Sequence, residues 1–458
     1  MPGDGFEHNQ AVVSARAALI DRLPAQQVHV SGPEYARGIA LWNGAAEQRP
    51  AIVLTCTSTD DVVIGVRTAR EFGLPLSVRG RGHNHAGLAL AEGGLTLDIR
   101  PLNSVRVDPR ARTAEVGGGA AVNDLLGAAG EHGLVAATGT VGTVGVSGLT
   151  LGGGYGPLNG VAGLAADNLL GAEVVTADGS VVDADEDLLW ALRGGGGNFG
   201  VVTSMTVRLH AVPQVVSGLL LYPWHQARQV LEGVREAMEN CPDSLTIQTA
   251  VIVGPDGSPG LAVIPTWSGD VEAGLDPHGP AMALTRLGDL VVGRLAAAPQ
   301  AAVIASLDAM FPDGRNVVMR TRNVPSLSDE LIDSLVEFGD TVPTSFSALV
   351  LHHFHGTSTR VAPDATAFER REPHLMIEII GIWEGEDAGD RVRAWADAAS
   401  EALAEQSFPG GYVNNLGPEA TEQIAHLYGE NLSRLQQVKA KWDPEGLFSA
   451  TPLPVAGA

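Results

Sequence analysis

Apolar residues near the start of the chain fall into short runs separated by polar and glycine-rich turns, a pattern that predicts a strand–helix–strand unit. The run at 51–56 (AIVLTC) predicts a buried strand. The polar segment at 57–61 (TSTDD) supplies capping hydroxyls and early carboxylates for a helix that ends at Gly73. A second apolar run at 74–78 predicts the next strand. Together these elements indicate a small α/β lobe.

The later pattern adds strands and helices without a fixed repeat and predicts an α+β fold. Strands predicted at 347–354 and 374–383 alternate apolar and polar residues, which is typical of an antiparallel sheet with one packed face. The composition becomes more ordinary after Pro213, so we place a domain boundary there. The other predicted strands lie near 95–99, 104–108, 112–117, 172–176, 201–209, 245–253 and 260–266, and the helices near 120–132, 187–193, 225–239, 300–310 and 328–338.

The segment 133–172 carries one charged side chain, Asp167, and consists mostly of Gly, Val, Leu, Ala and Thr. Such a segment is too apolar to be a simple solvent-exposed loop. Glycines also allow a ligand to approach the backbone closely. The segment therefore predicts either a deeply buried wall or the lining of a large, flat ligand site.

One histidine lies in a glycine-rich turn directly after a predicted strand. In the sequence VRGRGHNHAG (78–87), Gly80, Gly82 and Gly87 permit a sharp turn that exposes backbone N–H groups to a ligand. His83 at the mouth of this turn can serve as a base, a metal ligand or a covalent anchor. An ordinary surface turn explains the same residues when they are considered alone.

The segment 195–200 (GGGNFG) matches the G-x-G-x-x-G pattern of dinucleotide-binding proteins. That pattern requires a strand before the glycines and a helix after them. Here a predicted helix precedes the glycines and a valine-rich strand follows, which excludes a Rossmann site. A loop that approaches a phosphate or a ring, and a plain tight turn, both remain compatible with these residues.

Three histidines, His352, His353 and His355, lie close together on a predicted strand. His353 and His355 share one face of that strand, and His352 points to the other face. Because no cysteine or acidic residue is close to them in the sequence, we expect no metal site. Polar residues that line a substrate cavity, or solvated strand residues, are the expected roles.

Three polar residues in apolar or glycine-rich surroundings are candidate catalytic groups. Glu378 lies within an apolar strand, where desolvation is expected to raise the pKa of its carboxyl group towards that of a general base. Tyr155 follows three glycines and Tyr412 begins a distinctive late segment. A phenol in such a place can bind or deprotonate a substrate hydroxyl group. A wet strand face for Glu378, and simple packing for the tyrosines, are the alternatives.

Composition and charge narrow the class of protein. The chain has 458 residues and a net charge of −24, so neither a nucleic acid nor an anionic membrane surface is an expected partner. Its most apolar run is interrupted by charge and proline, so no membrane-spanning helix is expected. Cys56 and Cys241 lie far apart, which fits a reducing compartment. We expect a cytoplasmic protein, as a monomer or a homodimer.

Four segments in order along the chain resemble those of the FAD-linked oxidases of the vanillyl-alcohol oxidase type, and within them the berberine-bridge-enzyme-like branch of bacterial secondary metabolism. They are GTVGTVGVSGLTLGGGYG (139–156), DNLL (167–170), LLWALRGGGGNFGVVT (188–203) and the closing segment 428–444. The resemblance covers nearly the whole chain. It implies a two-lobed PCMH-type FAD-binding domain at 48–212, completed by 411–458, and an α/β substrate-binding domain with an antiparallel sheet at 213–410.

The resemblance also implies that His83 carries FAD covalently, through the 8α-methyl group of the flavin. Many members have a second tether, a cysteine at the position of Val141, so a single covalent bond is expected here. Two departures affect the site: Arg81 replaces the usual glycine, and the tail at 449–452 (SATP) lacks the usual polar end. The other residues implied to contact FAD are Arg79, Gly80, Arg81, Gly82, Asn84, Gly87, Val141, Gly142, Thr143, Gly145, Val146, Gly148, Leu149, Gly152, Gly153, Asn198, Phe199, Gly200, Val201 and Asn414.

The function implied by the resemblance is the FAD-dependent oxidation of a small organic substrate, which we expect to be a natural product of polyketide-like chemistry. Glu378 or Tyr412 removes a proton while hydride passes to flavin N5, and Tyr155 positions the substrate. O2 is the expected electron acceptor. A flavin-dependent oxygenase on a similar substrate, and a non-catalytic protein that binds flavin or a metabolite, are the alternatives.

Overall fold

A computed structural model describes residues 4–254, 257–308, 310–385 and 387–454, in which the chain folds into three β-sheets flanked by helices. The predicted α+β class is confirmed. No helix among these residues combines the length and the apolar character needed to cross a bilayer. The helices are α1 (Asp4–Arg22), α2 (Gly32–Ile39), α3 (Thr59–Glu71), α4 (Val122–Gly130), α5 (Val146–Leu151), α6 (Asn159–Ala162), α7 (Glu186–Leu192), α8 (Ala227–Glu239), α9 (Val271–Gly274), α10 (Pro280–Ala283), α11 (Gln300–Asp308), α12 (Asp329–Asp340), α13 (Gly389–Ala404), α14 (Thr421–Ala425) and α15 (Leu432–Trp442).

The first sheet is built from β1 (Val28–His29), β2 (Ile52–Thr55), β3 (Leu76–Arg79) and β4 (Leu95–Asp98). Strand β4 lies between β2 and β3 and is parallel to both, and β1 pairs with β2 in the antiparallel sense. Ser58 Oγ accepts a hydrogen bond from Asp61 N at the start of α3, and Gly73, with φ of 62°, follows its end. The predicted strand–helix–strand unit at 51–78 is therefore confirmed.

The second sheet is antiparallel. Its strands are β5 (Val105–Asp108), β6 (Thr113–Gly117), β7 (Val135–Ala136), β8 (Leu169–Val175), β9 (Val181–Asp183) and β10 (Val201–His210). The order is β5–β6–β10–β8–β9, and β7 also pairs with β10. Because α7 ends before the glycine loop at 195–200 and β10 begins directly after it, the helix–loop–strand order that excludes a Rossmann site is confirmed.

The third sheet is antiparallel and begins after Pro213. Its strands are β11 (Val215–Ser217), β12 (Leu220–Pro223), β13 (Leu245–Val253), β14 (Pro259–Trp267), β15 (Ala296–Ala298), β16 (Asn316–Val324), β17 (Ala348–Phe354) and β18 (His374–Trp383). The order is β15–β11–β14–β13–β17–β18–β16, and β12 also pairs with β14. The predicted antiparallel sheet is confirmed.

Both faces of the central strands β17 and β18 are buried. On one face, Leu351 and Ile377 pack in a core with Val230 of α8, Leu335 of α12 and Val392 of α13. The expectation of a single packed face is wrong for these strands, because their second face covers an internal cavity instead of meeting solvent. This second face is where the sheet meets the glycine-rich segments.

Candidate active site

A cavity of about 640 Å³ lies between the glycine-rich segments and the free face of the third sheet. The turn that contains His83, the segment 139–151, strands β17 and β18, and the tail residues 448–451 all contribute to its lining. The volume is in the range of small-molecule and cofactor sites. Parts of the chain that are far apart in sequence therefore form one site.

His83 has an oriented imidazole ring at the cavity wall. The ring stacks on the indole of Trp42, with 5.5 Å between ring centroids and an angle of 19° between the planes. Thr143 Oγ1 lies 3.0 Å from His83 Nε2. Burial lowers the pKa of His83 to about 4, so the ring is neutral at pH 7 and keeps a nitrogen lone pair. Such a ring can act as a nucleophile or as a ligand.

Two glycines on the cavity wall have space beside them that the protein does not fill. A Cβ added at Gly148 or Gly197 would meet no heavy atom from elsewhere in the protein within 4 Å, and both residues line the cavity. Neither glycine has a positive φ, so the backbone conformation does not require glycine there. Close approach of a bound ligand is a physical reason for glycine at both positions.

More than half of the residues expected to contact the cofactor line this one cavity. They are His83, Gly80, Arg81, Gly82, Asn84, Val141, Gly145, Gly148, Leu149, Gly200, Val201 and Asn414. The three candidate catalytic residues, Tyr155, Glu378 and Tyr412, line it as well. Arg81, which replaces the usual glycine, forms an ion pair of 3.0 Å with Asp124 at the start of α4.

The other expected cofactor contacts lie outside the lining of the cavity. They are Arg79, Gly87, Gly142, Thr143, Val146, Gly152, Gly153, Asn198 and Phe199. The guanidinium group of Arg79 is buried, donates to the Arg37 carbonyl at 2.9 Å and lies 3.7 Å from Asp98. The amide group of Asn198 donates to the Gly195 carbonyl at 3.0 Å and closes its own loop. These side chains shape the loops and do not present groups to the cavity.

Glu378 is held by two polar neighbours on the cavity wall. Its Oε1 accepts a hydrogen bond from Asn415 Nδ2 at 2.6 Å, and its Oε2 lies 3.1 Å from His352 Nε2. Burial alone would raise the pKa of the Glu378 carboxyl, but these two partners together hold that pKa below its ordinary value of 4.5. The expectation of a raised pKa is therefore wrong, and the carboxylate is ionised at neutral pH.

The phenol of Tyr412 has a hydroxyl proton without a partner among the described residues of the protein, whereas that of Tyr155 is hydrogen-bonded to a histidine. The Tyr412 oxygen accepts hydrogen bonds from Gly154 N at 3.1 Å and Asn414 Nδ2 at 2.8 Å, which leaves its own proton available. Burial raises the pKa of Tyr412 to about 12, so this phenol is protonated at pH 7. The Tyr155 hydroxyl, by contrast, lies 2.7 Å from His374 Nε2, and its proton is engaged there.

Some lining residues carry little signal in the sequence. Trp42 stacks on His83 but lies outside every glycine-rich motif. The role of Asn415 is visible only from its hydrogen bond to Glu378. His352 lines the cavity, one of the two roles expected for it. The unusual tail also reaches the site, because Thr451 lines the cavity and its Oγ1 accepts a hydrogen bond from the backbone N–H of Gly197 at 3.3 Å.

Comparison with known proteins agrees with this site. Residues 50–185 match the family described as FAD binding domain, and residues 411–452 match the family described as berberine and berberine-like. The FAD-linked oxidoreductase aurO of Gibberella zeae is 32% identical over 443 residues, which cover 95% of this chain and 87% of that protein. The chain belongs to the berberine-bridge-enzyme-like family of FAD-linked oxidoreductases.

Other members of the family share both sequence and fold. The (R)-6-hydroxynicotine oxidase of Paenarthrobacter nicotinovorans is 32% identical over 433 residues, 89% of this chain and 92% of that protein. The crystal structure of 6-hydroxy-D-nicotine oxidase from Arthrobacter nicotinovorans matches with a TM-score of 0.83 and 30% identity, over 93% of this chain and 96% of that one. The predicted family, its fold and the enzyme class are confirmed.

The cavity fits the FAD that this family binds. Its wall combines oriented backbone turns, the open space beside Gly148 and Gly197, and a neutral imidazole at His83. The segment around 139–151 brings no charged side chain into the lining, so a flat, largely apolar ring system can lie against it without burying an unpaired charge. The glycine-lined part of the cavity therefore fits the flat ring system of FAD.

Gly148→Ala is expected to reduce FAD occupancy without loss of the fold. Alanine is favoured over glycine in a helix interior by up to about 1 kcal/mol, so α5 itself is not weakened. The added methyl group, however, would occupy the cavity space where the cofactor approaches the backbone. We expect less flavin absorbance per mole of purified protein, with far-ultraviolet circular dichroism unchanged.

Gly127→Ala is the matched control for this prediction. Gly127 lies in α4, is exposed, and an added Cβ there would also meet nothing within 4 Å. This variant should keep full flavin occupancy. Equal flavin content in both variants would contradict the assignment of Gly148 to the cofactor wall.

Proposed function

We propose that this enzyme oxidises a small organic substrate by removing a proton at Glu378 while hydride leaves the adjacent carbon, with O2 as the electron acceptor. The observation that carries the proposal is an ionised carboxylate on the wall of the same cavity that contains His83. When bound, FAD supplies the hydride acceptor, N5, and the route for the electrons to O2. The side chains of the cavity supply binding, orientation and proton transfer.

Glu378 is the proposed proton acceptor because it is the carboxylate on the cavity wall. The imidazole of His352 and the amide of Asn415 fix both of its oxygens, so a substrate proton meets a carboxylate of defined direction. Tyr412 is the proposed hydrogen-bond donor to the substrate, since its proton is available. Tyr155 then positions Tyr412 by ring contact, with 4.9 Å between the ring centroids.

The proposed substrate is a flat, weakly polar natural product of polyketide-like chemistry. The part of the cavity formed by the third sheet is mainly apolar, with Leu219, Ala250, Ile252, Ala262, Met319 and Ile380 in its wall. Its polar side chains, among them Gln248, Arg315, His352 and Glu378, fit the specific contacts to a weakly polar substrate. The name of the relative (R)-6-hydroxynicotine oxidase supports a small organic substrate in this family.

We further propose that His83 holds FAD through a single covalent bond. The bond would join an imidazole nitrogen to the 8α-methyl carbon in place of one C–H bond and one N–H bond, with O2 taking up the two electrons and two protons. The neutral, stacked ring of His83 supports this role. Val141 lines the cavity where other members have a second tether, and its side chain cannot form one.

The proposed domain division follows the sheets. The first two sheets lie within residues 28–210, and the third begins at Val215. We therefore keep an FAD-binding domain at 48–212, completed by 411–458, and a substrate-binding domain at 213–410.

Acid denaturation tests the covalent bond. The yellow chromophore of the wild-type protein should remain with the precipitated polypeptide, and proteolysis should place it on the peptide that contains His83. His83→Ala should release all flavin into the supernatant or be purified without it. His426→Ala, a change at an exposed histidine, is the control and should keep the bound flavin. Flavin in the wild-type supernatant would disprove the covalent bond.

Anaerobic flavin bleaching tests the role of Glu378. Across a panel of hydroxylated aromatic compounds, a substrate should bleach the wild-type flavin, and Glu378→Gln should slow this step by about 10²–10⁴-fold. Glu115→Gln, a change at an exposed side chain of β6, is the control. Because the active form is the carboxylate and its pKa is lowered, the wild-type rate should fall only as the pH drops below 4.5. Ligand binding that never bleaches the flavin would instead indicate a binding protein.

Oxygen accounting tests the proposed electron acceptor. We expect one hydrogen peroxide released for each substrate molecule oxidised, because the two electrons pass to O2 without oxygen transfer. Labelled dioxygen should leave no label in the organic product. Label in the product, with less peroxide than product, would identify the oxygenase alternative.

A further inference from the structure

Three metal-ligating side chains meet on the face of the third sheet that points away from the cavity. Cys241 Sγ and one ring nitrogen each of His353 and His355 all lie within 4.8 Å of one another. The two imidazole rings stack with 4.0 Å between their centroids and an angle of 10° between their planes. Neither histidine lines the cavity, so this cluster is separate from the flavin site.

The fold brings these side chains together from distant parts of the sequence. Cys241 follows the end of α8, in the connection that leads into β13. His353 and His355 project from the same side of the chain at the end of β17, which pairs with β13. No cysteine is near the histidines in the sequence, but the antiparallel pairing places Cys241 beside them. A metal site is not expected from the sequence because no cysteine lies near the histidines there, but the fold supplies one.

One nitrogen of this cluster lacks the hydrogen-bond partner that a buried polar group normally has. His353 is 8% exposed, and its Nδ1 is buried with no hydrogen-bond partner. His355 is fixed by Thr246, whose Oγ1 lies 3.1 Å from Nε2. Cys241 Sγ donates to the Leu245 carbonyl at 2.7 Å, a bond that must be given up when the thiol loses its proton. A metal ion bound by both groups would give the unpartnered imidazole nitrogen of His353 and the nearby sulfur of Cys241 a common partner.

We propose that Cys241, His353 and His355 bind a zinc ion. Thiolate and imidazole ligands together favour zinc among the common biological divalent cations. Bonds of about 2.0 Å to nitrogen and 2.3 Å to sulfur in a tetrahedral site place the ligand atoms roughly 3.3–3.6 Å apart. The observed cluster reaches this spacing by a small closing of the three side chains. Because Cys241 is half-buried, water is the fourth ligand.

The protonation states of the cluster agree with this assignment. Burial lowers the pKa of both imidazoles, that of His355 to about 4, so their lone pairs are free at pH 7. Burial raises the pKa of the Cys241 thiol to about 12. The metal therefore displaces one proton on binding, since a coordinated thiol is deprotonated.

The zinc ion would fix the end of β17 to the connection between α8 and β13, beside α6 of the FAD-binding part. Directly after His355, the backbone packs against α6, where a Cβ on Gly160 would lie 2.6 Å from the His355 ring and 2.1 Å from the Asp243 carbonyl. Asn159 Nδ2 also donates to the His353 carbonyl at 3.5 Å. The metal is therefore structural, and its loss should lower stability before it affects the chemistry of the flavin.

Zinc content and melting temperature of the flavin-loaded protein test the proposal. After removal of metal with a chelator and incubation with zinc chloride, the wild-type protein should retain one zinc per chain through gel filtration. Its melting temperature should rise with the logarithm of free zinc. Cobalt(II) should give visible ligand-field bands at wavelengths beyond the flavin absorption. No retained zinc, or retention of copper(I) alone, would overturn the assignment.

Paired variants locate the site. Cys241→Ala and His355→Gln should each lower the affinity for zinc by about tenfold or more and abolish the zinc-dependent rise in melting temperature. Cys56→Ala, at the other cysteine, and His278→Gln, at an exposed histidine, should retain zinc as the wild type does. The flavin spectrum reports whether each variant is folded. Unchanged zinc retention in both cluster variants would disprove the site.

Discussion

The rest of this structure depends on one constraint, the enclosure of a wide, flat cofactor by protein backbone. Side chains on the enclosing segments would separate the ring from the main-chain N–H groups, and buried charges among them would be left unpaired. The segment 139–151 meets both demands, since its cavity-facing positions include Gly139, Gly145 and Gly148 and no charged residue. The carboxylate of the lining, Glu378, lies on the opposite wall, on β18 beside His352 of β17.

The opposite wall holds its polar groups firmly. Glu378 and His352 project from neighbouring strands, and Asn415 comes from the segment that closes the domain. A carboxylate with both oxygens occupied keeps its charge despite burial. The sheet therefore does more than cover the cavity, because its register determines which side chains face the cavity and which face the helices.

The sequence predicts features that are local and misses those that depend on distant partners. The strand–helix–strand unit at 51–78 and the turn around His83 carry their caps, glycines and apolar runs within a few residues. The lowered pKa of Glu378 depends on residues 26 and 37 positions away. Arg79 and Asn198 show the opposite limit. Both belong to motifs that predict contact with FAD, but each donates to a backbone carbonyl of the protein and lies outside the cavity lining.

The tail contact between Thr451 and Gly197 has a consequence for how the enzyme matures. Phe448 and Thr451 come long after the turn at 78–87 in the sequence, yet they line the same cavity. Contacts of such sequence separation form late in folding. The cavity is therefore complete only after the tail has packed against the glycine loop, so the early stages of folding proceed before its whole lining is in place.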